Sequence, residues 1–287
     1  MIFLPRTDLA IEEVENSEKD NFYKEEKDGI IVEKVVLDEA LSKKFKKKQG
    51  VYYTITTDVI KNLAHDECSD ISLKISSILE DIYDEYNLTQ ASYVLILGLG
   101  NDEVTPDSLG PKVMKNLLVT KHLADLNQLE EGLGIVGAIA PGVMGQTGIE
   151  SSDIIKALVK DTKPDLVIVV DALASRSLHR VNRTIQISTG GISPGSGVGN
   201  KRKEISMKTL GVPVIAIGVP TVVDIASIFH DLNKMIGEED LDLSEVLIES
   251  DLNYMVTNKE IDEMMFMMSD IISKAINISI HNLEIYE

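Results

Sequence analysis

The 287-residue chain has one cysteine, Cys68, so it can form no internal disulfide. The neighbours of that cysteine, His65, Asp66 and Glu67, lack the spaced Cys/His pairs of a zinc site. Positive charge is also scarce: 28 Lys and Arg stand against 47 Asp and Glu, for a net charge of −19. Phosphate contacts draw on clustered Lys and Arg, so this balance speaks against a nucleic-acid partner or an anionic membrane. No apolar run approaches the roughly 20 residues of a spanning helix. The start, MIFLPRTD, has neither the basic segment nor the long apolar core of an export signal. A soluble chain in a reducing, cytoplasmic compartment is expected. With 44% hydrophobic residues it is able to bury a substantial core.

What is there centres on Tyr93 to Pro111, YVLILGLGNDEVTPDSLGP. The apolar run Tyr93 to Leu97 reads as a strand buried on both faces, as central parallel strands are. Gly98, Leu99 and Gly100 make a turn into an acidic loop, and an amphipathic helix is expected from Ser108 to Leu123. Of the loop carboxylates Asp102, Glu103 and Asp107, only Asp107 immediately precedes the helix. A second stretch, Asp165 to Asp171 (DLVIVVD), repeats the pattern and ends in one carboxylate. In sheets of this kind the chemistry gathers at the carboxyl ends of the strands. A lone carboxylate there also serves as a helix cap or an ion-pair partner. Two on neighbouring strands favour chemistry.

The flanks complete an alternating pattern. Met1 to Asp28 reads as a solvated tail. Strands are expected over Ile30 to Asp38 and Val51 to Thr57, with the basic run Lys43 to Lys48 between them read as surface, and a helix over Asp70 to Tyr86 begins at an Asp cap. After the central strand come strand Gly134 to Ala140, helix Ser151 to Lys160, strand Leu166 to Val170, strand Thr184 to Ser188 and strand Val214 to Gly218. Helices over Val222 to Met235, Leu243 to Met255 and Glu260 to Ile276 close the chain. The order implies an α/β fold, a mostly parallel sheet with helices on both faces. Met264, Met265, Met267 and Met268 read as core filler, so they imply no cofactor.

Several familiar sites are excluded. The loop Thr189 to Arg202 carries Asn200, Lys201 and Arg202 where a phosphate-binding loop needs Gly-Lys-Ser/Thr, and Glu103 occupies the third glycine position of a dinucleotide fingerprint. The one G-x-S-x-G match, Gly191 to Gly195, falls in the Gly-rich loop ahead of a strand and not in the strand-to-helix turn of a nucleophile elbow.

Taken together, PRTDLAIE, GLGNDEVTPDSLGP, APGVMGQTGIES, PDLVIVVDALASRSLHRVNRTIQISTGGISPGSGVGN, LGVPVIAIGVPTVVD and MVTNKEID resemble the spore germination protease family of endospore-forming bacteria. The likeness is weakest over Asn16 to Ile60, and Asn258 stands where the pattern has Pro. The resemblance implies an endopeptidase that degrades small acid-soluble spore proteins in the spore core at germination. It also implies a homotetramer, made as a zymogen that removes its own N-terminal propeptide. Family substrates are cut after an acidic residue in a segment like Thr-Glu-Ile/Phe-Ala. Thr7-Asp8-Leu9-Ala10 has the same order of types, so self-cleavage between Asp8 and Leu9 is expected. The implied organisation is a propeptide over 1–8, an extension over 9–90 and a catalytic core over 91–287.

By motif, the family's catalytic pair falls on Asp107 and Asp171, the two residues already singled out. Close carboxylates do not both ionise cheaply, so one keeps a proton, and the two divide the work of activating water and protonating the leaving amide. Cleavage after an acid calls for a cationic subsite. Arg176, Arg180, Arg183, Lys201, Arg202 and Lys203 are the candidates, with Arg176 first because guanidinium pairs bidentately with carboxylate. The GLGN…D…LGP pattern is also similar to hydrogenase-maturation endopeptidases, whose phosphorylase/hydrolase-like core binds a metal. There Asp107 and Asp171 match two ligands, and His179 is the nearest, imperfect match for a third. Metal-free catalysis ranks first and a metallopeptidase second. A noncatalytic α/β ligand-binding domain is the remaining class.

Overall fold

The computed structural model describes residues 7–14, 22–58, 65–197, 202–236 and 254–281. Lys201 and the helix expected from Leu243, up to residue 253, lie outside them. Among the described residues nine strands form one sheet: β1 (Phe22–Lys27), β2 (Ile30–Leu37), β3 (Gly50–Thr57), β4 (Tyr93–Gly98), β5 (Ile135–Ile139), β6 (Leu166–Ser175), β7 (Thr184–Ser188), β8 (Val214–Asp224) and β9 (Met255–Val256). Their order is β1-β2-β3-β7-β8-β6-β4-β5, with β9 beside β8.

The expected parallel sheet is the half formed by β5, β4, β6 and β8. Here every residue of β4 is buried, and β6 is buried at all positions but Ala172. Strands covered on both faces need apolar residues throughout, which is why the two runs lack alternation. The other half joins antiparallel: β7 pairs β8, β3 pairs β7, and the extension adds β2 and β1 as a meander. The extension is therefore one edge of the same sheet.

Helices cover both faces. The long helices His65–Glu85 and Ile261–His281 and the short Leu109–Lys115 pack on one, against Val94, Ile96, Ile168, Val170, Ile215 and Ile217. Helix Ser151–Thr162 packs on the other through Ile155 and Val159, against Leu95, Leu97, Val167 and Val169. Met264, Met265, Met267 and Met268 are all buried in the first layer, as filler is.

Three expectations need correction. The long helix starts at His65 rather than at an Asp70 cap. The single helix from Ser108 to Leu123 is two pieces, Leu109–Lys115 and Lys121–Asp125. Thr120 breaks it, because its N–H reaches the Val136 carbonyl at 3.0 Å and its hydroxyl bridges Gly134 O at 2.6 Å and Val136 N at 2.9 Å. The third is the solvated tail. Leu9, Ala10 and Ile11 are completely buried, packed with Leu37, Tyr52 and Leu173, and β1 follows at Phe22. Full burial of a Leu or Ile stabilises by about 1.5–3 kcal/mol, comparable to the ~1–2 kcal/mol of backbone ordering per residue.

Candidate active site

The site forms where β4 and β6 end. Gly98 pairs with Val170, so Asp171 is the next residue out on β6, opposite Gly218 of β8. By strand alternation its side chain shares a face with Val167 and Val169. Beyond β4 the chain doubles back through Gly100, whose φ of +111° is one that side-chain-bearing residues rarely adopt. The Asn101 N–H then reaches both the Asp107 carbonyl at 3.0 Å and its carboxylate Oδ2 at 2.9 Å. A 3-10 turn over Thr105–Asp107, set by Pro106, presents the carboxylate, and the Ser108 hydroxyl closes it on Thr105 O at 2.8 Å. From β8, a bulge after Pro220 releases Thr221 from the register with β6, and its hydroxyl donates to Pro106 O at 2.6 Å.

The glycines are steric devices. A Cβ at Gly98 would stand 2.4 Å from the Gly110 carbonyl oxygen, so its absence lets helix Leu109–Lys115 lie directly on β4. This is what the G-x-G spacing serves.

Asp107 and Asp171 line one cavity of about 420 Å³, together with Asp8, Arg202, Leu99 and Val104. Asp171 is only 5% exposed. Its carboxyl is held well above the usual range, first by burial and then by the charges of Asp107 and Asp8, against the opposing pull of the Ala172 N–H and Arg202. Burial also raises Asp107, opposed by the Asn101 N–H and Arg202. Two carboxylates that both resist ionisation and line one cavity are able to hold and pass a proton.

The third acid arrives with the N-terminal segment, which meets the end of β6 at Ala174. The Asp8 N–H donates to Ala174 O at 2.9 Å, and the Ala174 N–H returns a bond to Asp8 Oδ2 at 3.0 Å. The Ser196 hydroxyl donates to Asp8 Oδ1. Ala10 N–H donates to Gln186 Oε1 at 2.7 Å, and Lys47 Nζ holds the Thr7 carbonyl at 2.7 Å. The basic run Lys43–Lys48 is thus not wholly surface: burial pulls the Lys47 ammonium below its usual value.

The candidate cations divide. Arg202 and Lys203 line the cavity, Lys203 also pairing Asp153 at 2.8 Å. Arg176 and Arg180 lie with Glu12 and Glu13, beyond Asp8 along the segment. Arg183 pairs Asp58 at 3.1 Å. His179 is exposed on a 3-10 turn away from the cavity lining, so it adds no third ligand to the two carboxylates. Among the described residues no three His, Cys, Asp or Glu side chains gather as metal ligands, and no helix is long and apolar enough to cross a membrane. Sequence reasoning missed Gln186, Lys47, Ser196 and Thr221. Only their place in the fold marks them.

The fold and the cavity define an α/β protein with a carboxylate-lined cleft at the carboxyl ends of its parallel strands. The germination protease family model matches residues 6–238, and the chain belongs to that family. The germination protease of Oceanobacillus iheyensis is 40% identical, over 97% of this chain and 95% of the relative. Those of Bacillus thuringiensis subsp. konkukian and Bacillus cereus strain 03BB102 are each 49% identical, over 79% of this chain and 65% of their own length. Among solved structures, the crystal structure of the [NiFe] hydrogenase maturation protease HycI from Thermococcus kodakarensis KOD1 is similar at 16% identity and a TM-score of 0.35, covering 69% of this chain and 97% of that one.

Proposed function

We propose that the chain is an endopeptidase made as a zymogen, which cuts itself between Asp8 and Leu9 and then degrades small acid-soluble spore proteins as a spore germinates. One observation carries this reading. The cavity that holds two ionisation-resistant aspartates, Asp107 and Asp171, also receives Asp8, the residue before the expected cut.

Asp171, the more strongly raised, keeps the proton, and Asp107 is the carboxylate that polarises water. In the reaction the water oxygen adds to the scissile carbonyl carbon while Asp107 takes up its proton. The C–N bond then breaks as the Asp171 proton passes to the leaving nitrogen, giving a new carboxyl and a new amine. The Asp107 proton returns the pair to its starting state. Arg202 limits the accumulation of negative charge between them. Residues 1–8 form the propeptide, and the active species is a homotetramer in the spore core.

The test is incubation of the purified chain with a small acid-soluble spore protein, followed by mass spectrometry of both. Fragments ending in the acidic residue of Thr-Glu-Ile/Phe-Ala segments, together with a chain beginning at Leu9, are the expected result. An intact substrate and an intact chain would sink the reading.

A further inference from the structure

Beyond the expected cut, the N-terminal segment enters a second pocket that takes an acid. If Asp8–Leu9 is the scissile bond, a reading on which this inference rests, residues 9–13 lie where the leaving half of a substrate lies. Glu12 is 7% exposed, and both its carboxylate oxygens are held. The Arg176 N–H donates to Oε2 at 2.8 Å and the Ser177 N–H to Oε1 at 3.0 Å, with Arg180 Nε 3.8 Å from Oε1. A buried carboxylate is tolerated only when paired and hydrogen-bonded, and this pocket supplies both. Its N–H donors follow the end of β6, the strand that carries Asp171, so its distance from the aspartates is set by the sheet. Glu13 differs: its side chain is 31% exposed, so its pair with Arg176 is partly screened by solvent.

The segment also binds as an extended peptide would. One main-chain bond, Asp8 N–H to Ala174 O, and one from the Ala174 N–H to the Asp8 carboxylate hold it to β6, contacts that any peptide with an acid at this position is able to make.

We propose that Arg180 and the N–H groups of Arg176 and Ser177 form a specificity subsite that reads a carboxylate side chain four residues beyond the scissile bond, in peptides that displace residues 9–13. Specificity for an acid would then come from both sides of the cut.

The experiment uses the self-processed full chain and a synthetic peptide with the sequence of residues 4–14, LPRTDLAIEEV. Glu12→Gln in the peptide is expected to lower kcat/KM by roughly 10- to 100-fold, mainly through KM, as loss of charge-assisted bonds does. Glu13→Gln should change it by less than about threefold, in keeping with a pair partly screened by solvent. Arg180→Glu in the enzyme should reverse the preference, favouring a peptide with Lys at position 12. Equal cleavage of the parent and Glu12→Gln peptides, or an unchanged preference in the Arg180→Glu enzyme, overturns the subsite. A chain that processes itself yet leaves the parent peptide whole overturns the subsite alone. If neither is cut, the endopeptidase reading fails and the subsite with it.

Discussion

Gly100 is pressed against Asp107: a Cβ placed on Gly100 would come within 2.0 Å of the Asp107 carbonyl oxygen, and the backbone there has φ of +111°. The turn that aims one carboxylate of the pair therefore tolerates no side chain. Gly100→Ala is expected to destabilise the fold by about 1–3 kcal/mol, the scale of backbone strain. It should also abolish self-cleavage while the circular dichroism spectrum stays native. Wild-type processing in a variant of normal urea stability would count against this role for the turn.

Asp107→Asn and Asp171→Asn each remove one member of the pair while keeping its size. Loss of general acid or base catalysis is worth at least ~100-fold, so both variants should leave self-processing and cleavage of spore proteins undetected or nearly so. Gel and mass analysis after a timed incubation reads this directly. Full activity in either variant refutes the assignment.

The burial of Asp171 has a consequence for stability. Its folded pKa is raised, so between about 3.9, the unfolded value, and the elevated folded value the folded state binds more protons than the unfolded. Stability contributed by this group is then present at low pH and lost as pH rises through that window. Asp171→Asn, which cannot ionise, should melt higher than wild type at pH 7, with the difference closing towards pH 4. Thermal melts across that range check it, and a variant less stable than wild type at pH 7 would contradict the argument.

Chelation separates the two chemistries that Asp107 and Asp171 could serve. Metal-free carboxylate catalysis predicts that activity survives prolonged EDTA treatment and desalting. Activity lost on chelation and restored by a divalent ion would make the pair metal ligands instead.

Much of this arrangement is legible in the chain itself. The unbroken apolar runs before Gly98 and before Asp171 mark buried parallel strands, and each run's end locates a carboxylate. The antiparallel half is less visible, because half-exposed strands such as β1, FYKEEK, carry little apolar signal. The burial of Leu9 to Ile11 is not legible locally at all. It depends on Leu173, Ala174 and Gln186, more than 160 residues away, and polar flanks conceal it. The arginines show the same limit. Arg176 follows Asp171 closely in sequence, yet β6 continues to Ser175 in extended form, and five residues of strand carry Arg176 well past the carboxylate to meet Glu12.

The placement of Asp8 in the cavity of Asp171 would give the proposed hydrolysis at Asp8–Leu9 an electrostatic aftermath. Departure of the segment that ends at Asp8 would take away a carboxylate that opposes ionisation of Asp171, and the Leu9 left behind would begin with an ammonium group. The neighbourhood of the pair would thus gain two units of positive charge in one irreversible event. The same aspartates would meet every later substrate with a lower proton affinity than they had for the first.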